Sequence, residues 1–236
     1  FAPHLVIANA ENIAHGIGAT EKTIAETRAA GVDFFTSGNH IWSKGEAIGI
    51  MNTAEPVLIR PANYPTGTPG LGYRTLIVNG VHVLIANLQG RVFMNQDLDC
   101  PFRALDTILE KEKDVKVIIV DLHAEASSEK VVLGHYADGR VSVFVGTHTH
   151  IPTADARVLP KGTAYVTDLG MTGLRDSAIG ANLAAVTEMF LTQRPHSEMH
   201  DAAEEGIAIV NGIVADIDPV TGKAYTIERI QREVNI

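Results

Sequence analysis

Cysteine is almost missing from this chain. The 236 residues include one, Cys100, so no disulfide can close within it. Such usage points to a reducing compartment, and a cytoplasmic protein is expected. A single cysteine is also weak ground for thiol catalysis, and Cys100 is read as inert. Long apolar runs are missing too: no stretch reaches the roughly 18 residues that a membrane-crossing helix needs. Positive charge is the scarcer sign. Lys plus Arg number 19 against 28 Asp plus Glu, a net charge of −9, which argues against a surface that tracks a phosphate backbone. No extended nucleic-acid partner is expected, although a small phosphorylated substrate held through a metal stays compatible with that charge. Repeats, low-complexity tracts and linker-like segments are lacking as well, so residues 1–236 are read as a single domain.

What is present is an alternation of short apolar runs and helical patterns, the signature of an α/β fold. With 45% hydrophobic and 20% charged residues, the chain has enough apolar material for a substantial core. Runs at Leu5–Ala8, Val32–Thr36, Val115–Val120, Val141–Val145 and Ala164–Thr167 predict buried strands. Asn79-Gly80 between two alternating segments predicts a hairpin of Tyr73–Val78 with Val81–Asn87. Helices are predicted over Thr23–Ala30 behind Thr20 as N-cap, and over Ile41–Met51, Pro101–Lys113, Ser127–Tyr136 and Asn182–Leu191. Ile207–Asp216 and Ala224–Ile230 read as a closing antiparallel pair, and Arg60–Gly70 as a long Pro/Gly-rich loop.

The informative feature is the set of residues that terminate the apolar runs. The first run ends at Glu11-Asn12, the second at Gly38-Asn39-His40, the third at His123, and the fourth at Gly146-Thr147-His148-Thr149-His150. Ligands bind at the carboxyl ends of strands in open α/β sheets, so these donors are expected on one rim. On extended backbone, alternate side chains share a face, which would point His148 and His150 the same way. One carboxylate, one or two amide oxygens, several imidazoles and no thiolate suit iron, manganese, cobalt or zinc. The set exceeds the needs of one ion and suffices for two. His4, His15, His82, His135, His196 and His200 match no motif and are read as ordinary.

Taken in order, Glu11-Asn12, Gly38-Asn39-His40, Asp121-Leu122-His123-Ala124-Glu125 and Gly146-Thr147-His148-Thr149-His150 resemble the later motifs of the calcineurin-like metallophosphoesterases. Arg60-Pro61-Ala62-Asn63, Asn87-Leu88-Gln89-Gly90-Arg91 and Leu159–Tyr165 further resemble the YmdB-type bacterial 2′,3′-cyclic nucleotide phosphodiesterase family. The resemblance implies a metallophosphoesterase-type β-sandwich of mixed sheets flanked by helices. It implies a metal-dependent phosphodiesterase that hydrolyses small phosphodiesters such as 2′,3′-cyclic nucleotides, with two divalent or trivalent transition metal ions and a hydroxide bridging them as nucleophile. Carried over by residue, Glu11 would bridge the ions, Asn39, His123 and His148 would complete one shell, and His150 would serve the other. His40 would be the general acid, and Asn12 would support the site or the substrate. Asp121 and Glu125 would orient histidines or cap helices, and Asp168 would do the same or simply shape a turn. Arg60 and Arg91 would bind substrate phosphate, or serve only in loop hydrogen bonds.

One departure stands out. The family's first motif, a Gly-Asp-Val-Val-Gly-like strand end carrying another ligand, has no counterpart after Phe1. The domain is therefore expected to be N-terminally incomplete, lacking a first strand-helix unit of roughly 30 residues. That departure motivates an alternative, a non-catalytic metal-binding regulatory or scaffold protein. A metal hydrolase acting on amides is a further alternative, and a homo-oligomer is compatible with the sequence.

Overall fold

The computed structural model describes residues 1–195 and 205–236. In chain order its elements are β1 (Ile7–Asn9), α1 (Glu21–Ala29), β2 (Phe34–Thr36), α2 (Glu46–Met51), β3 (Tyr73–Val78), β4 (Val81–Gln89), α3 (Pro101–Lys111), β5 (Val117–His123), α4 (Ser127–Ala137), β6 (Val143–Thr147), β7 (Arg157–Val158), β8 (Ala164–Val166), β9 (Gly173–Leu174), α5 (Leu183–Thr192), β10 (Ile207–Ile217) and β11 (Ala224–Asn235). His196 and His200 lie outside the described residues.

Side-chain alternation along three adjacent parallel strands decides where everything else packs. Strands β4, β5 and β6 sit side by side in a six-stranded mixed sheet of order β3-β4-β5-β6-β8-β7. Their register aligns Ile85, Ile119 and Val143 in one row, Asn87, Asp121 and Val145 in the next, and Gln89, His123 and Thr147 in the last. This face thus turns from apolar to polar toward the carboxyl ends of the strands. The opposite face stays apolar. There Leu84, Leu88, Ile118, Val120, Leu122 and Phe144 pack beneath Leu105 and Ile108 of α3 and Leu133 and Ala137 of α4.

The first face is covered by two separate layers. Strands β1 and β2 form a parallel two-stranded sheet, and Phe34 from it packs with Ile59 and Ile85. Strands β9, β10 and β11 form an antiparallel sheet. From it Ile213, Ala215, Ile217 and Ile227 pack on Val143, Val145, Ala164 and Val166. The result is a mixed α/β sandwich flanked by helices, the fold class expected. The hairpin of β3 and β4 forms as expected, with Asn79 and Gly80 both at positive φ (50° and 83°), the pairing that a type I′ turn requires.

Two local expectations fail for identifiable reasons. The helix predicted over Ile41–Met51 begins only at Glu46. The chain ahead of it turns instead, with the Ile41 amide on the Gly38 carbonyl and the Ser43 amide on the His40 carbonyl, while the His40 amide leaves for the Glu11 carboxylate. The extended geometry assumed for His148 and His150 also fails. Strand β6 ends at Thr147, and His148 and His150 take φ values of 99° and 65°. Such backbone costs about 1–3 kcal/mol per non-glycine residue, so the surrounding contacts must hold it.

Candidate metal centre

The polar ends of β1, β2, β5 and β6 meet at one point, the Nε2 atom of His123. Glu11 Oε1 lies 3.1 Å from it, Asn39 Oδ1 2.8 Å and His148 Nδ1 3.0 Å. The Glu11, His123 and His148 donor atoms all lie within 4.8 Å of one another. His123 is buried as the last residue of its strand, and Glu11 is buried as well. Gly38 makes this approach feasible: a Cβ there would collide with Glu11 Oε2 and with the His123 ring.

The proton arrangement identifies what these atoms offer. The Thr147 hydroxyl donates to Asp121 Oδ1 at 2.8 Å, so His123 Nδ1, 3.0 Å from the same hydroxyl, must be the donor to it. When the ring is neutral, that leaves the Nε2 lone pair facing Glu11, Asn39 and His148. His148 is arranged the other way round. Its Nε2 lies 3.0 Å from Glu125 Oε2 and donates there, which exposes the Nδ1 lone pair. With both rings neutral, two imidazole lone pairs, a carboxylate oxygen and an amide oxygen converge there. Donor atoms about 2.1 Å from a cation lie roughly 3 Å from each other, which is the spacing seen here. The residues fit a bound metal ion.

Burial pushes the Glu11 carboxyl up, but the His123 charge and hydrogen bond, the His40 amide and the His40 ring outweigh it, and the net shift is downward. Burial, reinforced by His123, holds His148 down at about 4, so its ring stays neutral and able to ligate. Asp121 is pushed up by burial, against the hydrogen bonds from Thr36, Asn9 and Thr147.

A second group of donors adjoins the first. His150 Nδ1 donates to the Ile179 carbonyl at 2.7 Å. The Asn12 amide is satisfied when its nitrogen donates to the Glu11 and Gly16 carbonyls, each at 3.1 Å. Its oxygen then accepts from His150 Nε2 at 3.3 Å. The Asn12 amide and the His150 ring are thus hydrogen-bonded to each other beside the carboxylate of Glu11.

A family model described as YmdB-like protein matches residues 1–230. The chain belongs to the YmdB-like family. It is 47% identical over 231 residues to a 2′,3′-cyclic-nucleotide 2′-phosphodiesterase of Bacillus subtilis, covering 98% of this chain and 86% of that protein. Among solved structures, a hypothetical protein from Thermus thermophilus matches with a TM-score of 0.91 and 44% identity, over 98% of this chain and 88% of that one. A phosphatase from Mycoplasma pneumoniae matches with a TM-score of 0.89 and 36% identity, over 97% and 82% respectively.

The remaining candidate residues of this YmdB-like chain surround the donors or stand apart from them. His40 lies half-buried beside Asn39, with its amide donating to Glu11 Oε2 at 3.2 Å. Among the described residues Asp121 hydrogen-bonds to no histidine directly; it reaches His123 through Thr147. The phosphate role considered for Arg60 gives way to a loop-closing one. Its Nε, Nη1 and Nη2 donate to the carbonyls of Pro69, Pro61 and Thr68 at 3.0, 2.8 and 3.1 Å, and the side chain is buried. Arg91 is held by its amide, which donates to both oxygens of Glu129, while its side chain is exposed.

Thr147, Asn9 and Thr36 do not stand out in the sequence, yet together they hold Asp121. Their one sequence signal is a polar residue at the end of an otherwise apolar strand. Glu125, by contrast, directly contacts His148. Glu125→Ala is expected to weaken metal binding by about tenfold, since outer hydrogen-bond partners of metal-bound imidazoles typically contribute 10–100-fold and this carboxylate is half exposed. Titration of metal-free protein with Mn²⁺ would measure it; unchanged affinity would remove Glu125 from the centre.

Proposed function

We propose that this chain is a metal-dependent phosphodiesterase that hydrolyses small phosphodiesters, 2′,3′-cyclic nucleotides foremost. The observation that carries this reading is the meeting of Glu11 Oε1, Asn39 Oδ1 and His148 Nδ1 within 3.1 Å of His123 Nε2. The name of the Bacillus relative supports the substrate class. Glu11, Asn39, His123 and His148 would hold one iron or manganese ion, and Glu11, Asn12 and His150 would contribute to a second; zinc and cobalt suit the same donors. Bound there, the cations supply Lewis-acid chemistry, acidifying water and neutralising charge on the phosphoryl oxygens.

The chain's own groups do the rest. Glu11 presents one oxygen to His123 and anchors the other on the His40 amide, so the carboxylate and the His40 backbone are positioned together. Thr147 with Asp121, and Glu125, hold two imidazoles in place and aimed. His40 holds a proton for the leaving ribose oxygen, which departs as a poorly stabilised alkoxide unless it is protonated. A net charge of −9 does not oppose an anionic substrate when the cations are local to the site.

Purified protein loaded with Mn²⁺ or Fe²⁺ is expected to cleave 2′,3′-cyclic AMP and bis-p-nitrophenyl phosphate, and to lose both activities when a chelator removes the metal. His40→Ala is expected to lower kcat on cyclic AMP by about 10²–10⁴-fold at unchanged metal content. The loss should be much smaller on the nitrophenyl ester, whose acidic phenol leaves without a proton. Metal-loaded protein that spares every phosphodiester would reject the reading.

A further inference from the structure

Behind the turn that carries His148 and His150 lies a buried ion pair. Lys130 Nζ is 2.6 Å from Asp168 Oδ2, and each side chain is 1% exposed. Desolvating two opposite charges offsets much of their attraction, so such a pair is weak ground for stability and invites a search for another role.

The role is visible in what else Asp168 holds. Its Oδ2 accepts from the Thr149 amide at 3.2 Å and the Thr149 hydroxyl at 2.7 Å, while Oδ1 accepts from the Gly170 amide at 2.8 Å. Lys130 Nζ also lies 3.4 Å from the Thr149 hydroxyl. Thr149 is the residue between the two histidines of positive φ. Lys130 arrives from α4 past Gly146, where a Cβ would meet Lys130 Cδ at 2.9 Å and would collide with the Thr167 carbonyl oxygen. Helix α4, the end of β6 and the loop after β8 therefore converge on a single threonine.

We infer that Lys130 and Asp168 are positioning residues for the metal centre, acting through Thr149. The inference rests on the proposed metal-binding reading of His148 and His150. Held by its amide and its hydroxyl, Thr149 keeps the backbone on either side of it in left-handed conformation. That conformation turns His148 Nδ1 toward His123 and His150 Nε2 toward Asn12. Released, the segment would relax toward the extended form that L-residues prefer, in which alternate side chains point the same way and the two rings lose their separate directions. Lys130 balances the Asp168 charge and so lets a carboxylate, the acceptor best able to serve several donors, stand in the interior.

Three variants test this: Asp168→Asn, the double variant Lys130→Met with Asp168→Asn, which leaves no uncompensated charge, and Thr149→Val, which removes one hydroxyl and no charge. Mn²⁺ dissociation constants by calorimetry and visible spectra of Co²⁺-loaded protein report the centre; thermal unfolding of metal-free protein reports the fold. The expected result is Mn²⁺ binding weaker by about 10–100-fold, with an altered Co²⁺ spectrum, in variants that fold. Folded Thr149→Val and double variants with wild-type Mn²⁺ affinity and Co²⁺ spectrum would overturn the inference alone. Wild-type protein that takes up no metal would overturn the metal-centre reading, and this inference with it.

Discussion

Gly38→Ala is expected to cut phosphodiesterase activity and metal uptake by about 10²-fold or more while leaving most of the fold intact. The single added methyl would fall on Glu11 Oε2 and on Cδ2 and Nε2 of the His123 ring. Neither neighbour can easily yield. The Glu11 oxygen is tied to the His40 amide, and the His123 ring is tied to Thr147. Gly38 is not among the residues of positive φ, so alanine fits its backbone and the effect is purely steric. Overpacking of this kind costs about 1–3 kcal/mol, a Tm loss on the order of 2–12 °C in a domain of this size. Displacing two ligands by about 1 Å costs on the order of 100-fold in rate. Metal analysis, turnover of 2′,3′-cyclic AMP and thermal unfolding separate the two effects; a variant with wild-type metal content and turnover would contradict the geometry.

Asp121→Ala is expected to give the largest loss of stability, about 3–5 kcal/mol, with Tm lower by roughly 10 °C. The carboxylate is the polar seam between layers that share no backbone ladder at this point. It accepts from Asn9 of β1 at 3.0 Å, Thr36 of β2 at 2.5 Å and Thr147 of β6 at 2.8 Å. Truncation strands three buried donors, each costing about 1–3 kcal/mol when left unmade, though not additively. It also frees the Thr147 hydroxyl proton, so nothing then dictates which nitrogen of His123 carries hydrogen, and metal affinity should fall by about 10–100-fold. Asp121→Asn keeps the shape and one acceptor oxygen and should fall between alanine and wild type. Calorimetric unfolding and Mn²⁺ titration check both effects; an alanine variant melting within a degree or two of wild type would show that the seam is not where the layers are joined.

Much of this arrangement was legible without coordinates. Runs such as Val115–Val120 are apolar on both faces because helices and a second layer cover both sides of the sheet. The residue that breaks such a run marks the strand's end and with it the ligand-bearing rim. Hence Glu11, Asn39, His123, His148 and His150 stand out as exceptions to hydrophobic patterning, and their order along the chain is enough to suggest the family. For Arg60 the sequence leaves two roles open, phosphate binding and loop hydrogen bonds, and the second is the one seen. Charge alone cannot tell a guanidinium that meets phosphate from one that closes its own loop on three carbonyls. Lys130 was invisible for a similar reason: within a helix, a lysine is read as solvated unless its partner is known, and Asp168 lies 38 residues away.

By itself the sequence determined the α/β class, the hairpin at Asn79-Gly80, the family, and which side chains gather at the strand ends, because these follow from local period and from chemistry carried by single residues. Only the tertiary structure decided how the donors are aimed. Left-handed backbone at His148 and His150, the hydrogen bonds that aim His123 and His148 through Asp121 and Glu125, and the buried Lys130–Asp168 pair all depend on groups distant in sequence. Local propensity opposes each of them, and only the sum of contacts in the packed chain makes them the state of lowest free energy.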